Sequence, residues 1–147
     1  MFRIVPLQTA VADTLRALPG SERVIADEPH SFPCRHCLSD AIPGEGLVLA
    51  SHSPFDQPGP YREVGPVFVH AEPCARYGDE RVAPEQLRRR LLALRGYDFR
   101  QRIVAADVVQ GSDFEPLLAR LFERSDVDYV HVRFARTGCY ACRIERA

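Results

Sequence analysis

The chain has 147 residues, 46% of them hydrophobic and 27% charged, with 20 acidic side chains against 19 basic ones and a formal net charge of −1. That length can bury a core without disulfides or metal, so a single domain spanning residues 1–147 is expected. The near-balanced charge excludes a whole-molecule field toward nucleic acid or anionic lipid, and no apolar run approaches a membrane span.

A first strand is expected at residues 2–5. Leu7, Val11, Leu15 and Leu18 then recur at helical spacing until Pro19-Gly20, which predicts a short amphipathic helix over residues 8–18. Residues 23–27 read as a second strand, and residues 46–52 and 64–70 as two more, separated by a loop holding Pro54, Pro58, Gly59 and Pro60. Pro84 suits the first position of a second helix, with Leu87, Leu91 and Leu94 on one face and Arg88, Arg89 and Arg95 around it. That arginine run reads as a solvated helix face rather than a phosphate contact. Residues 102–109 read as a strand, and Asp113 can cap a third helix over residues 114–123, with Pro116 in its first turn. Residues 128–135 and 139–145 alternate around Arg136-Thr137-Gly138 as a hairpin. The expected class is α+β: a mostly antiparallel sheet of about six strands with about three helices, mainly on one face.

All 19 basic residues are arginine, which fits a GC-rich bacterial coding bias better than nineteen selected anion sites. The first eight residues hold no signal-peptide core, so a cytoplasmic location is expected. There the five cysteines stay reduced, open to packing, metal binding or thiol chemistry.

Chemistry-bearing residues concentrate between positions 32 and 74, where Cys34, Cys37, Cys74, His36, His52 and His70 all fall. Two Cys-x-x-Cys pairs, Cys34/Cys37 and Cys139/Cys142, suggest a four-thiolate zinc site. Against it, 101 residues intervene between the pairs, and a strand would point Cys139 and Cys142 to opposite faces. Cys34-Arg-His-Cys37 also has the form of a redox motif, but Pro43-Gly44 leaves no room for the long helix such a site needs. His52 and His70 each end a strand, with Tyr61 and Arg62 between them, and convergent polar groups at a sheet end form a common pocket. His131 alternates with Tyr129 and Arg133 on what reads as the solvent face. No phosphate-binding glycine loop, Gly-x-Ser-x-Gly elbow or His-Glu-x-x-His is present.

Pro33-Cys34-Arg35 with Leu38, Pro43-Gly44-Glu45, Pro60-Tyr61, Gly65-Pro66-Val67-Phe68-Val69-His70, Leu94-Arg95-Gly96-Tyr97-Asp98 and Gly138-Cys139-Tyr140 together resemble a bacterial family catalogued as domain of unknown function 1203. The resemblance covers nearly the whole chain and implies no activity or cofactor. In its pattern Cys34 and Cys139 are more typical than Cys37 and Cys142, a further point against the four-cysteine site.

The leading expectation is a small, anionic ligand bound by Cys34, Arg35, His52, Tyr61, Arg62 and His70, with no metal required for folding and with catalysis, cofactor and ligand identity left open. The alternatives are a structural zinc protein using its Cys-x-x-Cys pairs, or a non-enzymatic interaction module, with a homodimer as one possible assembly. Neither nucleic acid nor membrane is expected as a partner. Cys34, on a loop after Pro33 and beside Arg35, is expected to face a cleft and to be the most reactive thiol, while Cys142 is expected to be buried.

Overall fold

The computed structural model describes all 147 residues. Eight strands form two antiparallel sheets. The larger has the order β1-β8-β7-β5-β6, from β1 (Phe2–Val5), β5 (Leu91–Tyr97), β6 (Ile103–Gln110), β7 (Tyr129–Phe134) and β8 (Tyr140–Arg146). The smaller has the order β2-β3-β4, from β2 (Glu22–Ile25), β3 (Gly46–His52) and β4 (Gly65–His70). The expected α+β class and antiparallel pairing hold, with the strands divided over two sheets.

Three helices complete the domain: α1 (Thr9–Ala17), α2 (Glu85–Arg88) and α3 (Phe114–Phe122). On α3, Phe114, Leu117, Leu118 and Leu121 are buried against Leu92, Leu94, Val130, Val132 and Ile144, the alternating inward residues of β5, β7 and β8. Asp113 precedes that helix without a side-chain cap bond. The α1 stripe works as expected: Leu7 and Leu15, joined by Ala12, pack on Val48, Ala50, Val67 and Val69 of the small sheet. No helix is long and apolar enough to cross a membrane.

Two expectations need correction. The helix after Pro84 ends at Arg88, and Leu91 to Tyr97 is strand β5. Leu92, Leu94 and Gly96 share its buried face, so the period is two, and the pairings to β6 and β7 hold it there. The second concerns β7, which is buried on both faces. His131 is 0% exposed, because Phe55, from the segment joining β3 to β4, covers the face that reads as solvent-exposed in sequence. Phe55, Tyr97, Tyr129 and Tyr140 surround the His131 ring at centroid distances of 4.9–5.1 Å.

Candidate metal centre

Residues 33–40 form a tight loop closed by a bridge between Pro33 and Asp40 and by the Cys34 N–H donating to the Ser39 carbonyl at 3.1 Å. The loop is fixed to β4, where Cys34 bridges Phe68 in parallel and the Arg35 N–H donates to the Phe68 carbonyl at 3.0 Å. Leu38 turns the chain with φ of 54°, a left-handed conformation costly for a branched side chain. Burial of that side chain in the main core offsets the strain.

Past β4, residues 71–77 are drawn back over this loop. The Tyr77 N–H donates to the His36 carbonyl at 3.0 Å, and the Arg76 guanidinium donates to the carbonyls of Leu7 and Pro6 at 3.0 and 2.7 Å. Cys74 is thereby set beside the Cys34-x-x-Cys37 turn. One potential ligand atom from each of Cys34, Cys37, His70 and Cys74 lies within 4.8 Å of all the others. Cys34 Sγ is 3.9 Å from Cys74 Sγ, and Cys37 Sγ is 3.5 Å from His70 Nδ1. A tetrahedral zinc ion with Zn–S near 2.3 Å and Zn–N near 2.0 Å has ligand–ligand edges of roughly 3.5–3.8 Å. The Cys34–Cys74 and Cys37–His70 edges are close to those dimensions, and the 4.8 Å bound on the rest leaves about 1 Å for the set to close around an ion.

Around the four donors stands a set of orienting groups. His70 Nε2 lies 3.4 Å from Glu45 Oε1, which leaves Nδ1 for the cluster. His36 Nδ1 is 3.1 Å from Cys74 Sγ, and its Nε2 is 2.9 Å from Thr9 Oγ1. Burial lowers the His36 pKa, so we assign a neutral ring whose Nδ1–H donates to sulfur and whose Nε2 accepts from the Thr9 hydroxyl. Arg16 Nη2 donates to Cys74 Sγ at 3.7 Å while its Nε donates to the His70 carbonyl at 2.8 Å. The backbone N–H of His70 donates to Cys34 Sγ at 3.4 Å. Every one of these donors favours sulfur as thiolate.

The thiol hydrogen bond from Cys37, outweighing burial, lowers the Cys34 pKa to about 3. That shared bond and burial push Cys37 up, and burial pushes Cys74 up. The Cys34 thiolate in turn raises the His70 pKa. A cluster of this kind holds negative charge that a soft divalent cation satisfies, since it displaces the remaining thiol protons.

Of the six residues expected to form one ligand site, Cys34 and His70 meet here and the others do not. The β3–β4 pair is antiparallel, with His52 opposite Gly65 and His70 opposite Leu47, so the two histidines sit at opposite ends of the ladder. Tyr61 and Arg62 are exposed on the connecting segment. Arg35 points away from the thiols into a separate cavity. Cys34 is 0% exposed, which corrects the expectation that it faces a cleft: the bridge to Phe68 turns its side chain inward. Cys142 is buried in the main core as expected, and Cys139 lines the Arg35 cavity, so the second Cys-x-x-Cys pair has no part in the cluster. All five cysteines are free of disulfides. Cys74 completes the set; its signal in sequence is the His70-x-x-x-Cys74 spacing that follows the Cys34-x-x-Cys37 pair.

The family model described as protein of unknown function, DUF1203, matches residues 31–146. The chain belongs to the DUF1203 family. The matched region contains both Cys-x-x-Cys pairs, His70 and Cys74, so the whole centre lies within the DUF1203 domain. No curated protein and no solved structure matches the chain.

Proposed function

We propose that this DUF1203 protein binds one zinc ion through Cys34, Cys37, His70 and Cys74, and that the ion has a structural role. The observation that carries the reading is the convergence of three thiols and one imidazole within 4.8 Å. Three sulfurs and one nitrogen converging this closely suit zinc, and four protein donors would leave no open position for a substrate or an activated water. The ion would pin the 33–40 loop to the end of β4 and to residues 71–77, adding to the small apolar cluster in which Cys34, Val67, Val69 and Ala71 already meet. Glu45 would act on the ion through His70, and His36 and Arg16 through the Cys74 sulfur.

Metal analysis of protein expressed with zinc in the medium tests this directly. One zinc per chain is expected, retained by Cys139→Ser and lost by His70→Ala and Cys74→Ser. Protein that takes up no zinc, or a Cys74→Ser variant that keeps it, removes the reading. Visible thiolate-to-iron absorption with stoichiometric iron would replace zinc by iron on the same residues.

A further inference from the structure

We propose that the cavity on the other side of the 33–40 loop binds a small molecule through an oxyanion, phosphate or carboxylate, with Arg35 as its buried anchor. The cavity measures about 530 Å³, within the range of small-molecule sites, and no aspartate or glutamate lines it. Four arginines do: Arg35, Arg89, Arg90 and Arg136.

Two of them have acidic partners. Arg90 is held by Asp40 at 2.8 Å, and Arg89 stands 4.0 Å from Glu85. Arg35 and Arg136 have none. Arg136 is exposed at the rim, whereas Arg35 is 2% exposed. Its Nε donates to the Tyr140 carbonyl at 2.7 Å and its Nη1 to the Pro33 carbonyl at 2.6 Å. Those bonds fix the guanidinium plane without neutralising it, and they leave Nη2 without a partner in the chain.

A guanidinium buried with no carboxylate bonded to it is costly to desolvate. Cys34 precedes it in sequence, but that sulfur is engaged by Cys74 and by the His70 N–H. Phe134 lies beneath both Arg35 and Arg90, whose guanidinium carbons are 5.0 and 4.9 Å from the ring centroid. The aromatic floor stacks both guanidinium planes; Arg90 spends Nη1 and Nη2 on Asp40 and on the Gln86 and His30 carbonyls, so Arg35 Nη2 is the buried N–H group left for a ligand. Phe68 and Leu91 add apolar wall, which suits an organic acid or phosphate ester better than a bare ion.

This inference does not depend on the zinc reading. Arg35 belongs to the same loop as Cys34 and Cys37, but Tyr140, Pro33 and Phe134 orient it rather than the thiols.

The test is titration calorimetry on the full chain with inorganic phosphate, phenyl phosphate and benzoate, each against sodium chloride at equal ionic strength, with zinc content measured in every sample. Saturable binding of at least one probe is expected, weakened at least tenfold by Arg35→Gln and by Arg136→Ala and unchanged by Arg120→Ala on α3. Binding by the phosphates alone assigns a phosphate ester, binding by benzoate alone a carboxylate, and tighter binding of phenyl phosphate than of inorganic phosphate supports the apolar wall. Absence of saturable heat for all three, or affinity unchanged in Arg136→Ala, overturns the proposal. If Arg35→Gln does not fold, Arg136→Ala at the exposed rim decides alone. Oxyanion binding without zinc, or zinc without oxyanion binding, separates this site from the metal centre.

Discussion

Glu45 stands behind His70: its Oε1 lies 3.4 Å from Nε2 of a ring whose Nδ1 faces the Cys37 sulfur at 3.5 Å. A carboxylate in that position fixes the ring's tautomer and strengthens the opposite nitrogen as a donor. Glu45→Ala should therefore weaken zinc binding by about 10–100-fold without altering the fold. Competition with a chromophoric chelator measures it, and unchanged affinity would show that the contact is incidental.

Zinc removal should loosen one part of the protein rather than unfold it. The main core joins 17 buried residues, drawn mostly from α2, α3 and the larger sheet, and only Leu38 of the metal loop belongs to it. Hydrogen exchange after chelation should lose protection across residues 33–40 and 71–77 and keep it in β5, β7 and β8. Global loss of protection would mean that the ion is required for the whole fold.

Thiol labelling should begin at Cys139. Cys34 and Cys142 are fully buried, Cys37 and Cys74 belong to the cluster, and Cys139 sits partly exposed beside Thr137. Limited alkylation of zinc-loaded protein with peptide mapping should modify Cys139 first, and chelation should then expose Cys37 and Cys74. Early modification of Cys34 in the loaded protein would contradict the site.

His131 should make the protein sensitive to acid. Burial, reinforced by repulsion from Arg133, Arg143, Arg95 and His52, lowers its pKa to about 3, and neither ring nitrogen has a hydrogen-bond partner. The folded state thus excludes a proton that the unfolded chain accepts near pH 6.5. Stability from this group is complete above about pH 6.5 and falls as pH drops toward 3, by about 1.4 kcal/mol per pH unit. His131→Phe fills the same aromatic surround and removes that slope. Its stability advantage over the parent should grow by about 2 kcal/mol from pH 7.5 to pH 5, read from urea melts. A constant difference across that range would refute the argument.

Gly111 should tolerate no side chain. A Cβ there would stand 1.9 Å from the Leu87 carbonyl oxygen and 2.8 Å from the Arg88 backbone. The Gly111 N–H also donates to the Arg90 carbonyl at 2.8 Å, so the backbone cannot retreat without losing that bond. Gly111→Ala should cost about 1–3 kcal/mol in thermal or urea unfolding.

Most strands were legible because their alternation is local: β3, β4, β7 and β8 stand within a residue or two of where the pattern puts them. The segment after Pro84 was not, because a leucine-rich run satisfies helical and extended periods alike, and strand pairing decides between them. Burial of His131 was not legible either, since it depends on Phe55, 76 residues earlier in the chain. At the site, the Cys34-x-x-Cys37 pair and His70 could be singled out by residue type. Their union with Cys74 needed the antiparallel register of β3 and β4 and the return of residues 71–77, both tertiary facts. Arg35 was visible as an anion candidate, but its cavity is built by Arg89 and Arg90, from the turn after α2, and by Arg136, from the β7–β8 turn.

The pairing of β1 with β8, Phe2 opposite Arg146, gives the two sheets different clocks. Every strand of the smaller sheet, and every residue of the Cys34–Cys37–His70–Cys74 cluster, has been synthesised by position 74. The edge of the larger sheet waits for the last strand, which at about 5–20 residues per second arrives roughly 4–14 s later. During that interval β1 has exposed backbone groups and no partner, a row open to mispairing with another nascent chain. Early closure of the N-terminal half would shorten the stretch of chain left to search, and the slow step of refolding should be the long-range capture of β1 by β8.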